Sequence, residues 1–116
     1  MNIRRIEPGP RMSQASVYGN TVYLAGQVAD DPSQDIAGQT RQVLAQIDKL
    51  LKEAGTDKSR ILFAQIVLSD IKTFAAMNGV WEPWVAPGNP PARATIEAKL
   101  VAPEYKIEII VTAAVG

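Results

Sequence analysis

The chain contains no cysteine and no histidine. Without thiols there are no disulfides and no thiolate nucleophile. Without imidazole there is no Ser-His-Asp triad and almost no route to a zinc site. Carboxylates alone would have to hold a metal, and no acidic cluster has the spacing of a calcium loop. Asp30-Asp31 runs into Pro32-Ser33 and reads as a turn leading to a helix cap. No metal is expected. An excess of charge is missing too, since 12 Lys and Arg face 12 Asp and Glu. Nucleic-acid binders usually show a basic excess, and no basic run here exceeds Arg4-Arg5, so no nucleic-acid partner is expected. No apolar run is long enough to span a bilayer, and "MNIRRIEPGP" lacks the apolar core of a signal peptide. The expectation is a soluble, cytoplasmic protein with no membrane partner. Its chemistry must rest on carboxylates, arginine, hydroxyls, backbone amides and water.

What is present is enough for one core. The 116 residues are 47% hydrophobic, which fits a single domain over residues 1–116. "NIRRI" is a short strand ended by "EPGP". "QASVYG" and "NTVYLAGQV" alternate around Gly19-Asn20, a hairpin signal that sets Tyr18 and Tyr23 to pair across it. In "DPSQDIAGQTRQVLAQIDKLLKEAG" Ile36, Val43, Ile47, Leu50 and Ala54, joined by Leu44 and Leu51, recur at helical spacing. Asp35 or Ser33 can cap this helix, and Gly55 sits where it ends. "SRILFAQIVLSD" is a strand. "IKTFAAMNGVWEPWVAPG" is a second helix with Phe74, Met77 and Trp81 on one stripe and a kink or break at Pro83. "ARATIEAKL" and "YKIEIIVTAAV" are two more strands. The order β-ββ-α-β-α-ββ predicts an α+β domain: a mixed sheet of five or six strands with two helices on one face.

Two strands have more apolar surface than two helices can cover. Tyr105, Ile107, Ile109, Val111 and Ala113 make one face of the last strand, yet Ile110 and Ala114 lie on the other beside Glu108. In the strand after Arg60, Phe63 and Val67 oppose Leu62, Ile66 and Leu68. A strand apolar on both faces needs a layer on each, and the simplest second layer is another copy of the chain.

The chemistry concentrates in "NPPARATIEAKL". Pro90 and Pro91 restrict the backbone ahead of Arg93, which opens a strand on the phase of Thr95 and Glu97. That phase is expected to face away from the helices. A guanidinium presents a flat fork of donors that matches a carboxylate. Glu108 lies on the neighbouring strand, also on the phase away from the helices. Partial burial raises a carboxyl's pKa and equips it to exchange protons with water. Read blandly, each is half of an ion pair, Arg93 with Glu97, or Glu108 with Lys106 or Arg93. Read together, they describe a cleft with an anion holder and an acid-base group.

"PPARATIEAKL…YKIEIIVTAAV" resembles the carboxy-terminal signature of the Rid (YjgF) family of enamine and imine deaminases. "GNTVYLAGQV" is similar to the family's hairpin, and "FAAMNGVWEPW" to its second helix. The resemblance covers essentially the whole chain. It implies a chorismate-mutase-like fold of about six strands, assembled as a homotrimer with clefts at the subunit interfaces. Within such a cleft Arg93 would hold the carboxylate of a small 2-imino acid, and Glu108 would position or activate the attacking water. Gly26 would line the cleft with its backbone, and Asn78 would stand nearby. The products would be a 2-keto acid and ammonia, with no cofactor. Two positions depart from the best-known branch: Met12, beside Arg11, replaces a ligand-facing tyrosine, and Thr95 replaces a cysteine. Thr95 could still offer its amide and hydroxyl. With the tyrosine hydroxyl gone, the same cleft could instead bind 2-keto acids without turnover.

Overall fold

A computed structural model describes residues 2–116. Six strands form one sheet: β1 (Arg4–Pro8), β2 (Ser13–Tyr18), β3 (Thr21–Leu24), β4 (Ile61–Leu68), β5 (Ala92–Glu97) and β6 (Ile107–Ala114). Helix α1 (Ile36–Ala54) joins β3 to β4, and α2 (Phe74–Trp84) joins β4 to β5. The sheet order is β1-β2-β3-β6-β4-β5. Only β4 and β5 run parallel, as a helical crossover requires, and the other pairs are antiparallel.

Both helices cover one face. From α1, Val43, Leu44, Ile47, Leu50, Leu51 and Ala54 sink into it, and from α2, Met77 and Trp81. They meet Val22, Leu24, Ala64, Ile66, Leu68, Ile107, Ile109 and Val111 of the sheet. Each buried Leu or Ile contributes about 1.5–3 kcal/mol by removing its side chain from water. The α1 stripe is thus what fastens the layers. Asp35 caps α1 by accepting from the Gly38 amide at 2.9 Å. Ser33 is not the cap; it turns instead to the Asp31 carboxylate, which those bonds hold below the usual carboxylate range. Gly55 ends α1 in the left-handed region at φ 86, where its amide reaches the Leu51 and Lys52 carbonyls.

Several expected boundaries move. β1 runs Arg4–Pro8 rather than ending before "EPGP", and β3 stops at Leu24. Beyond it only Gln27 returns to the sheet, bridging Ile109. β5 stops at Glu97, whose carboxylate turns away to accept from the Ile71 amide. β6 starts at Ile107 rather than Tyr105. The second helix opens with a separate 3-10 turn, Ile71–Thr73. It passes through Pro83 and stops one residue later at Trp84, so the proline terminates the helix instead of breaking it. Tyr18 pairs with Thr21, and Tyr23 with Ser16, which makes the two tyrosines diagonal rather than direct neighbours.

Leu62 also departs from expectation. A bulge between Ile61 and Phe63 puts both of them opposite consecutive β6 residues, Ala113 and Thr112. The extra residue, Leu62, is turned out and 53% exposed, off the core face of Ile66 and Leu68. The far side of the sheet therefore carries Tyr23, Phe63 and Ile96, all exposed, around half-buried Ile110. Among the described residues no helix packs on that face.

One buried amide ties the loops to this frame. Gln39, fully buried in α1, donates to the carbonyls of Pro32 (2.9 Å), Gln34 (3.0 Å) and Glu104 (3.0 Å). Its oxygen accepts from the Lys106 amide at 2.9 Å, immediately before β6. Leucine of similar size would leave those groups without partners at roughly 1–3 kcal/mol for each one that stays dry. We expect Gln39→Leu to lower the unfolding free energy by about 2–4 kcal/mol with the m-value unchanged, measured by urea denaturation.

Candidate functional site

Arg93 stands on the helix side of the sheet, not on the far side as its phase suggested. The register decides this. Arg93 pairs with Ala64, Thr95 with Ile66 and Glu97 with Leu68, and all three partners belong to the helix-covered core. Paired residues of adjacent strands share a face. β5 is an edge strand, so its helix-side residues lie at the rim beside α2, with Arg93 and Thr95 only half-buried and Glu97 exposed.

α2 builds a holder for the guanidinium. Phe74, Asn78 and Trp81 fall four and three residues apart, on one helical stripe. The Asn78 Oδ1 accepts from Arg93 Nη1 at 2.8 Å. The Phe74 and Trp81 rings flank the guanidinium, with centroids 5.6 and 5.4 Å from its central carbon. Such stacking is worth about 0.5–2 kcal/mol and restricts the plane of the fork. Among the described residues Arg93 makes no salt bridge; Lys49 alone does, to Glu7 and Glu53. The ion pairs that the bland reading proposed for Arg93 and Glu108 are therefore not formed. Two places along β5, the Thr95 hydroxyl is buried and has no hydrogen-bond partner.

Glu108 lies on the opposite face. It pairs with Val67 and alternates with the buried run Ile107, Ile109 and Val111, which puts it on the far, uncovered side and half-buried. Arg93 and Glu108 thus do not share a cleft within one chain, because β4 separates their strands and the sheet separates their side chains.

Glu108 has company of its own. The loop after β3 brings Gly26 against it so closely that a Cβ at position 26 would lie 2.8 Å from the carboxylate carbon and overlap an oxygen. Only glycine permits this approach. Gly26 and Met12 both line a cavity of about 380 Å³, shared with Gln14, Gln27, Gln46 and Lys49. Met12 is 52% exposed at its mouth. The six expected site residues therefore divide: Arg93, Thr95 and Asn78 at the β5 rim, Glu108 on the far face with Gly26 against it, and Met12 with Gly26 at a cavity that Glu108 does not line. Phe74 and Trp81 were read from sequence as packing alone. The signal that could have found them is a single polar residue, Asn78, inside an otherwise apolar stripe. Among the described residues no group of three acidic side chains is placed to hold a metal ion.

A family sequence model described as endoribonuclease L-PSP matches residues 2–115. The chain belongs to this family, also called YjgF or Rid. A RutC family protein of Haemophilus ducreyi is 48% identical over 114 residues, covering 98% of this chain and 97% of that one. A crystal structure of a YjgF-family protein from Neisseria meningitidis superposes with a TM-score of 0.96 at 45% identity, covering 100% of this chain and 97% of the other. A 2-iminobutanoate/2-iminopropanoate deaminase of Rattus norvegicus is 31% identical over 110 residues, 90% of this chain and 80% of its own. The six-stranded mixed sheet with two helices is thus the YjgF fold. Among the described residues no helix is long and apolar enough to cross a membrane.

The contact at Gly26 gives a direct test of the Glu108 side. Glu108 can swing at modest cost, so Gly26→Ala should keep the fold, with the thermal midpoint lowered by only a few degrees, about 1 kcal/mol. A crystal structure of the variant should show the carboxylate displaced from residue 26. An unmoved Glu108 would mean that the close approach is not a constraint.

Proposed function

We propose that the protein is a cytoplasmic hydrolase of small 2-imino and enamino acids, releasing 2-keto acids and ammonia in clefts between subunits of a homotrimer. The observation that carries this reading is the Arg93 guanidinium, held by Asn78, Phe74 and Trp81, whose remaining N–H donors meet no acceptor among the described residues. An arginine so oriented is a receptor for a planar carboxylate. The rat relative named as an iminobutanoate/iminopropanoate deaminase supports the substrate class.

Since Arg93 and Glu108 lie on opposite faces, a cleft using both needs a second copy. The exposed Tyr23, Phe63 and Ile96, on the same sheet face as Glu108, form an apolar bed for it. Such a contact joins the β5 rim of one protomer to the far sheet face of the next. Two different patches meet, and a head-to-tail contact of this kind that closes on itself makes a ring. A trimer is the smallest such ring.

In the cleft, Arg93 of one protomer binds the substrate carboxylate and fixes the adjacent C=N carbon. Glu108 of the next accepts a proton from water as its oxygen bonds to that carbon and delivers it to the imine nitrogen, which gives a carbinolamine. The hydroxyl proton then passes through Glu108 to the amino group, the C–N bond breaks as the C=O bond forms, and ammonia leaves the 2-keto acid. Water is the only co-reactant. General acid-base assistance of this kind supplies about 10²–10⁴ in rate, and the charge-assisted carboxylate contact about 1.5–3 kcal/mol.

A second reading, capture of 2-keto acids without turnover, is favoured by Met12, a thioether where the family's best-known branch has a hydroxyl. Imines generated in situ by an amino-acid oxidase separate the two. We expect wild type to release ammonia faster than buffer and Glu108→Gln to lower kcat by about 10²–10⁴. Arg93→Ala should lower kcat/KM by about 10- to 150-fold. Ammonia release no faster than buffer, with 2-keto acids still bound in calorimetry, would select the binding reading.

A further inference from the structure

Three glutamines form a directed chain beside Glu108. Gln27 is 6% exposed and uses every polar group it has. Its backbone exchanges two hydrogen bonds with Ile109, at 2.9 and 3.1 Å, next to Glu108 in β6. Its side-chain Nε2 donates back to the Ala25 carbonyl at 3.0 Å and to Gln14 Oε1 at 3.0 Å. Its Oε1 accepts from Gln46 Nε2 at 3.2 Å, and that same nitrogen donates to the Val28 carbonyl at 3.0 Å. Gly26 is thus bracketed between Ala25 and Gln27.

The direction of the chain is forced. Nε2 of Gln27 faces two acceptors, and Nε2 of Gln46 faces two more, so neither amide can be turned over without setting oxygen against oxygen. Gln46 Oε1 is left buried with no partner among the described residues. At the other end Gln14 must present its oxygen to Gln27. Its Nε2 therefore keeps its donors, and among the described residues no acceptor takes them. Gln14 lines the same cavity as Gly26 and Met12, and Gly26 touches the Glu108 carboxylate.

We propose that Gln14 is a specificity-determining residue: its amide, locked in direction by Gln27 and Gln46, donates to the oxygen on C2 of a 2-keto acid or of the carbinolamine that precedes it. This rests on the deaminase reading, and it adds the group that distinguishes a keto acid from a plain carboxylic acid. Arg93 reads the carboxylate common to both, and a neutral amide N–H donates to a C2 oxygen whatever proton Glu108 carries.

Calorimetry with pyruvate and propionate isolates the contact, because the two differ at C2 and share the carboxylate. Wild type should prefer pyruvate. Gln14→Glu keeps the acceptor for Gln27 but has no N–H, and Gln14→Met is close in size and neutral. Both should lose roughly threefold to tenfold of the preference, the range one neutral hydrogen bond supports. The ratio cancels any general loss of anion affinity caused by the new carboxylate, and thermal unfolding of each variant checks the fold. A preference kept in both variants overturns the role of Gln14 alone. A wild type that binds neither acid overturns the Arg93 receptor and this inference with it.

Discussion

The pairing of β4 with parallel β5 on one side and antiparallel β6 on the other governs the molecule's chemistry. Side chains alternate along every strand, so a register assigns each residue to a face with no intermediate choice. Ala64, Ile66 and Leu68 are drawn under the helices by the hydrophobic effect. Arg93 and Thr95, paired with the first two, follow them to the helix side. Val67 points the other way, and Glu108 goes with it. The burial of three apolar side chains thus decides where the charged groups stand.

Arg93 is tolerated on the helix side because it sits on an edge strand and because α2 meets it with suitable groups. A guanidinium in the middle of this core would lose its hydration without compensation. At the rim, Asn78 accepts one of its hydrogens and two rings lie against it. The stripe that packs α2 through Met77 and Trp81 is the same stripe that orients the arginine. Packing and binding geometry are properties of one helix face, so the arginine is as well placed as the core is rigid.

Glu108 is governed by backbone rather than by side-chain packing. β3 leaves the sheet after Leu24, and the single bridge from Gln27 to Ile109 brings the loop back. Gly26 then lies against the carboxylate with no room for a side chain. The glutamine chain from α1 through Gln27 to Gln14 fastens this loop to the helix layer. One carboxylate's surroundings thus depend on residues from β2, the loop after β3, and α1.

Element order, both helices, the α1 cap and stop, and the surplus of apolar strand surface were legible in the sequence. Each depends on spacing within one segment: 3.6 for Val43, Ile47, Leu50 and Ala54, and two for Ile107, Ile109, Val111 and Ala113. The family motifs pointed to Arg93, Glu108, Gly26 and Asn78, of which the fold joins Arg93 with Asn78 and Glu108 with Gly26. What the chain's order could not reveal was the side of the sheet on which Arg93 falls. Alternation gives the parity of "ARATIE" but not its sign, which depends on pairing with a strand some thirty residues earlier. Leu62 shows the same limit, since a bulge is a mismatch between two strands and cannot be read in one. Local periodicity is set by the backbone and is written in the sequence. The assignment of faces, and with it the separation of the two charged groups, arises only when distant segments pair and bury their apolar sides together.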